Sequence, residues 1–160
     1  MKLLAYEVDK RSFLGVLNED ETWVYPVSAA GMEYRSMKDL IREAGPSEME
    51  MLDYISKKMP GDVTGAASVE EIKVVSPIAE PDQDIICLGI NYMDHAKESA
   101  RFQKEEFSKP EKAIYFSKRV NRTNDPDGII PAHKNLTNQL DYEAELAVII
   151  KKDAKDVKER

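Results

Sequence analysis

Hydrophobic and polar positions alternate in short blocks through the first 26 residues. KLLAYEVDKRSFLGVLNEDETWVYPV reads as short strands, with Asn18-Glu19-Asp20-Glu21 as a polar turn between FLGVL and TWVYPV. The period then lengthens. Ser36 is placed as an N-cap for the helical stretch MKDLIREAG, with Gly45 as its stop. Ser47 is placed as the cap of a second helix, EMEMLDYISKKM, which ends at Pro60-Gly61. Its apolar positions Met49, Met51, Leu52, Tyr54, Ile55 and Met59 suit a helix better than a strand.

GDVTGAAS reads as a loop and EIKVVSPI as a strand. AEPDQD reads as a linker, followed by a buried strand over DIICLGINY. The stretch MDHAKESARFQKEEF is polar and reads as helix up to Pro110, and KAIYFSK as a strand. VNRTNDPDGIIPAHKNLTNQ is a long, turn-rich connection of the kind often tied to function. These elements predict an α+β chain, mostly β. A small N-terminal module spans residues 1–78, with the boundary near Pro77 to Pro81, and a second domain spans 79–160.

LDYEAELAVII, from Leu140 to Ile150, changes character along its length. As a strand, one face carries Leu140, Tyr142, Ala144, Leu146, Val148 and Ile150. The other carries Asp141, Glu143, Glu145, Ala147 and Ile149. The second face runs from acidic to apolar. Glu143 and Glu145 then share a face about 7 Å apart. Two carboxylates entering a core repel and are costly to desolvate, and a hard divalent cation relieves both problems. The alternative is a solvated acidic face at the strand's entrance.

Composition narrows the function classes. The 160 residues are 42% hydrophobic, enough for a core. Lys+Arg 23 against Asp+Glu 30 leaves a net charge of −7, which disfavours nucleic acid and anionic membrane as partners. Cys87 is the single cysteine, so no intrachain disulfide forms. The sequence shows no signal-peptide pattern at Met1 and no apolar run near the ~18 residues of a membrane span. A cytoplasmic protein is expected.

Other residues could carry chemistry. His95 and Glu98 fall at i, i+3 of the helical stretch, where a carboxylate orients the imidazole as a general base. A surface His–Glu pair is the bland alternative. Lys118 closes the strand AIYFS and could meet an anionic substrate, or simply be a solvated strand end.

The ordered motifs CLGINYMDHAKE, KAIYFSK and LDYEAELAVIIKKDAKDV, from Cys87 to about Val157, resemble the fumarylacetoacetate hydrolase family. The resemblance implies that residues 79–160 begin that family's mixed β-roll. It implies that Glu143 and Glu145 bind Mg²⁺ or Mn²⁺. His95 and Glu98 match a dyad that activates water, and Lys118 a catalytic lysine near the substrate's oxygens. Asn91, Tyr92 and Lys118 are its implied substrate contacts. The implied activity is hydrolysis of a C–C bond in a 1,3-dicarbonyl or 2-oxo acid of the acylpyruvate kind. Oxaloacetate decarboxylation and isomerisation of 2-hydroxyhepta-2,4-diene-1,7-dioate in aromatic catabolism are the alternatives.

The match has departures. Lys151 stands where the family usually has glycine, and the family's third metal ligand, an aspartate in a later motif, has no counterpart after Glu145. The β-roll is therefore expected to be incomplete and the isolated chain to have little or no hydrolase activity. A non-catalytic truncated remnant acting as an assembly partner is the competing expectation. The partners expected are an oxo-acid substrate and either a second copy, in a homodimer, or a complementing C-terminal half.

Overall fold

A computed structural model describes residues 1–89, 92 and 112–158. The chain divides into two units, one of residues 1–79 with 124–160 and one of residues 80–123.

The first unit is built on a hairpin. Strands β1 (Leu3–Val8) and β2 (Arg11–Leu17) pair antiparallel, Leu3 opposite Val16 and Val8 opposite Arg11. Asp9 and Lys10 turn the chain with φ of 50° and 63°. Positive φ at both turn residues matches the right-handed twist of the flanking strands. Asn18 then organises the predicted polar turn, its Oδ1 accepting from the backbone N–H groups of Thr22 and Trp23, each at 3.0 Å. Beyond it run β3 (Trp23–Pro26), β4 (Ala67–Ser68) and β5 (Lys73–Val75). The sheet order is β4-β3-β2-β1-β5, and every pair is antiparallel.

Two helices cover one face. Helix α1 (Met37–Glu43) starts at Ser36, whose hydroxyl accepts from the Asp39 N–H at 3.2 Å and donates to the Asp39 carboxylate at 2.9 Å. Ser36→Ala is expected to cost about 1 kcal/mol, the usual loss for an N-cap. A urea midpoint identical to wild type would show that the cap contributes nothing.

Helix α2 (Pro46–Ser56) begins earlier than Ser47 suggests. Gly45 is its N-cap, with the N–H donating to Glu48 Oε2 at 3.1 Å, and Pro46 follows at the first helical position. The proline's fixed φ suits that position and it has no N–H to leave unpaired. Gly45 is thus the start of α2, and α1 already ends at Ala44.

The sheet buries side chains on both faces. Toward the helices lie Val16, Tyr25, Val27, Met37, Leu40, Leu52 and Ile55. On the other face Leu4, Tyr6 and Val24 close together, with Val8, Leu17, Ile72 and Val74 around them. Gly15 faces this second cluster. A Cβ there would lie 2.4 Å from Val24 Cγ2 and 2.8 Å from Tyr6 Cε1, so only glycine lets the Tyr6 ring close over the strand. The Tyr25 hydroxyl donates to the Lys58 carbonyl at 2.7 Å and ties β3 to the end of α2.

The edge strand β5 does not stand bare. Asp125 accepts from the Ser76 N–H at 3.0 Å and from Lys73 Nζ at 3.1 Å. The ammonium of Lys73 is held above its ordinary pKa, first by this hydrogen bond and then by the charges of Asp125 and Glu7.

In the second unit, β6 (Ile85–Gly89) pairs antiparallel with β7 (Ile114–Lys118), Ile85 opposite Lys118 and Gly89 opposite Ile114. The expectation of a buried strand here is corrected. Ile86 and Tyr115 are 66% and 67% exposed, and neither strand has a buried residue. Two strands without a covering layer bury neither face.

The architecture is α+β and mostly β. Among the described residues no helix is long and apolar enough to cross a membrane.

Candidate functional site

The acidic segment is where the structure departs most from the sequence pattern. Residues 140–150 form no strand, and every one of them is exposed. Leu146 and Val148 are 82% and 77% exposed. A strand's backbone donors and acceptors need a neighbouring strand, and among the described residues none pairs with this one. Alternation along LDYEAELAVII therefore marks a segment competent to form a strand. The expected passage from an acidic mouth into a core is not present.

Glu143 and Glu145 sit two residues apart on this exposed segment, in the first unit. Tyr142 N–H donates to the Asp141 carboxylate at 2.8 Å, so Asp141 is engaged locally. Farther along, Lys151 Nζ donates to the carbonyl of Ala44, the buried residue that ends α1. Glu48 lies at the same corner. Its carboxyl is held below the ordinary range, first by its own backbone N–H and then by the Ser47 hydroxyl. Desolvation opposes this, and the Gly45 N–H and the charge of Lys151 add smaller lowering contributions.

Two carboxylates are hard oxygen donors and suit Mg²⁺ or Mn²⁺ by type. Among the described residues no group of three or more His, Cys, Asp or Glu side chains stands together as a ligand set. The pair fits such a cation as part of a coordination sphere.

Lys118 and Tyr92 belong to the second unit. Lys118 is exposed at the end of β7, with Nζ 5.8 Å from the Phe116 ring centroid. It pairs with Ile85, four positions along β6 from Gly89. That is about 13 Å from the end of the ladder where the chain leaves toward Tyr92. Tyr92 is 45% exposed. Asn91, His95 and Glu98 lie outside the described residues. Sequence pattern does not single out Asp125 or Lys151 as anchors. NDPDG signals a turn, but the distant partners Lys73 and Ser76 leave no local mark.

The family described as fumarylacetoacetate (FAA) hydrolase C-terminal matches residues 84–160. The oxaloacetate tautomerase YisK of Bacillus subtilis is 33% identical over 162 residues, covering 95% of this chain and 52% of that protein. The chain belongs to the fumarylacetoacetate hydrolase family. An uncharacterized protein of Staphylococcus epidermidis is 28% identical over 168 residues, covering 98% of this chain and 53% of its own length. One from Staphylococcus aureus is 27% identical with the same coverage. The chain thus spans about half the length of the curated relatives it matches. The family match takes in β6, β7, Lys118 and the acidic pair, and it also spans the undescribed positions of His95 and Glu98.

Proposed function

We propose that this chain supplies part of a Mg²⁺- or Mn²⁺-dependent enzyme that handles 2-oxo acids through their enol or enolate forms. The observation that carries the reading is its 33% identity, along almost all of its length, to a protein named as an oxaloacetate tautomerase. Oxaloacetate is accordingly the first substrate to test. C–C bond hydrolysis of an acylpyruvate is the second reading and rests on the family description.

In this reading Glu143 and Glu145 hold the cation, and the β6–β7 ladder begins the family's β-roll. A bound divalent cation supplies charge that stabilises a developing enolate oxygen. His95, oriented by Glu98, moves the proton: from the carbon beside the carbonyl in tautomerisation, or from water in hydrolysis. Lys118 places its ammonium against a substrate carboxylate or carbonyl oxygen. Asn91 and Tyr92 are the further substrate contacts of this reading. The partner is a second copy or a polypeptide carrying the remainder of the relatives' sequence.

The test follows loss of the enol absorbance of oxaloacetate in Mn²⁺. It uses the chain alone and the chain mixed with a polypeptide carrying the remainder of the relatives' length. Ketonisation above the buffer rate is expected in the mixture and is expected to fall to the buffer rate with His95→Gln. Buffer-rate decay in every sample, with acylpyruvate also untouched, overturns the enzyme reading.

A further inference from the structure

Of the seven glycines only Gly128 follows an aspartate or asparagine, and it does so inside NDPDG, a motif the proposed chemistry does not use. Aspartate before glycine is the pairing most open to attack by the chain on itself, because glycine has no Cβ to shield its nitrogen or restrict its approach. Here the pair lies in a closed turn. Gly128 N–H donates to the Asp125 carbonyl at 3.0 Å, Pro126 is second in the turn, and Asp127 is third with φ of 59°. Proline second and positive φ third are the pattern of a type II turn. Asn124 bridges the bend. Its Nδ2 donates to the Ile129 carbonyl at 3.2 Å, and its Oδ1 accepts from the Asp125 N–H at 3.1 Å. A Cβ on Gly128 would lie 2.3 Å from that Oδ1, so the Asn124 amide is what requires glycine after Asp127.

We propose that Asp127 is a site of isoaspartate formation that the folded turn keeps closed, with Asn124 as the positioning residue. In the reaction Gly128 N attacks Asp127 Cγ. The amide hydrogen and the carboxyl hydroxyl leave together as water, and a cyclic imide forms. Water then opens the ring. Cleavage of the bond from N to Cγ restores aspartate. Cleavage of the bond from N to the main-chain carbonyl carbon leaves isoaspartate, with the chain routed through Cβ and Cγ. One water is lost and one is taken up, and nothing is oxidised or reduced.

The turn opposes the first step. The ring closes only when Gly128 N rotates to eclipse Asp127 Cβ, and in the turn that N–H is directed at the Asp125 carbonyl instead. Reaction therefore proceeds from the fraction of molecules in which the turn is open, as amide exchange does. Asp127 is exposed, so access of water does not limit the second step. Every contact used lies between residues 124 and 129, and neither the metal reading nor a partner strand for residues 140–150 enters.

Peptide mapping after incubation of the full chain in ¹⁸O-labelled water tests this, since each ring opening leaves a solvent oxygen at residue 127. The reference is the free peptide of residues 122–131. The chain is expected to label at least about fivefold more slowly than the peptide, the shift that one net hydrogen bond gives. Asn124→Ala is expected to speed labelling of the chain by about fivefold. The exposed neighbour Asn121→Ala is expected to keep the wild-type rate. Asp127→Glu, whose longer side chain disfavours the ring, is expected to lose the label. An unchanged Trp23 fluorescence transition in urea shows that the Asn124 variant is folded. Labelling of wild type at the peptide's rate, or equal rates in wild type and Asn124→Ala, overturns the proposal. So does acceleration by Asn121→Ala to the same extent, or label retained at position 127 in Asp127→Glu.

Discussion

Leu52→Ala is expected to remove about 2–5 kcal/mol from the stability of the first unit, the usual loss for a fully buried leucine that leaves a cavity. Leu52 has no exposed surface and lies among Val16, Tyr25, Val27, Leu40 and Ile55, where α2 meets the sheet. Small domains have only about 5–15 kcal/mol in total, so the loss takes a large share. Met51 precedes it on the same helix and is 45% exposed. Met51→Ala is therefore expected to stay within about 0.5 kcal/mol of wild type. Trp23, the single tryptophan, packs against the same cluster and reports unfolding by fluorescence in urea. Equal midpoints for the two variants would mean that α2 does not dock through the Leu52 face.

That contrast shows what the hydrophobic pattern holds and what it omits. Periodicity marks α2 as a helix and includes Leu52 and Ile55, which are buried. It gives equal weight to Met51 and Tyr54, which are 45% and 55% exposed, and to Met59, which lies beyond the end of α2 at Ser56. An apolar stripe is wider than the face a short helix presents to a sheet, and the sheet decides which residues are covered. The β1–β2 turn is harder to read, because Asp9-Lys10 contains neither asparagine nor glycine and its positive φ values come from the strand register. Gly45 carries two signals, helix stop and helix cap, and Pro46 resolves them toward the cap of α2.

The segment Leu140–Ile150 marks the deeper limit. Its alternation is legible, but a strand exists only where another strand meets it, and that information is not local. The same holds for β6, which reads as buried and has no buried residue beside its exposed partner β7. The proposed site rests on the family motifs and not on the strand pattern, because residue type and order do not depend on which strand lies alongside. Glu143 and Glu145 are legible as a pair of hard donors whether or not the segment around them is a strand.

Glu143→Gln and Glu145→Gln are each expected to abolish saturable Mn²⁺ binding by the chain, read by calorimetry as a loss of tenfold or more, on the order of magnitude expected when a charged ligand is removed from a weak site. Each change removes one anionic oxygen donor while keeping side-chain volume. One carboxylate would remain, and the chain has 30 Asp and Glu residues that could each offer as much. Background binding to that acidic surface is therefore the effect to separate. Asp141→Asn does so, because it removes the same charge from the same exposed segment, from a residue already engaged with the Tyr142 N–H. Its binding is expected to match wild type. Equal weakening by all three variants would assign the signal to net charge and remove the acidic pair as a site. Wild-type binding lost only at Glu143 and Glu145 would show that two donors on an exposed segment gather a cation without a strand to hold them. The remaining ligands would then be water or groups outside the first unit, since Mg²⁺-type sites keep several waters where protein donors are few.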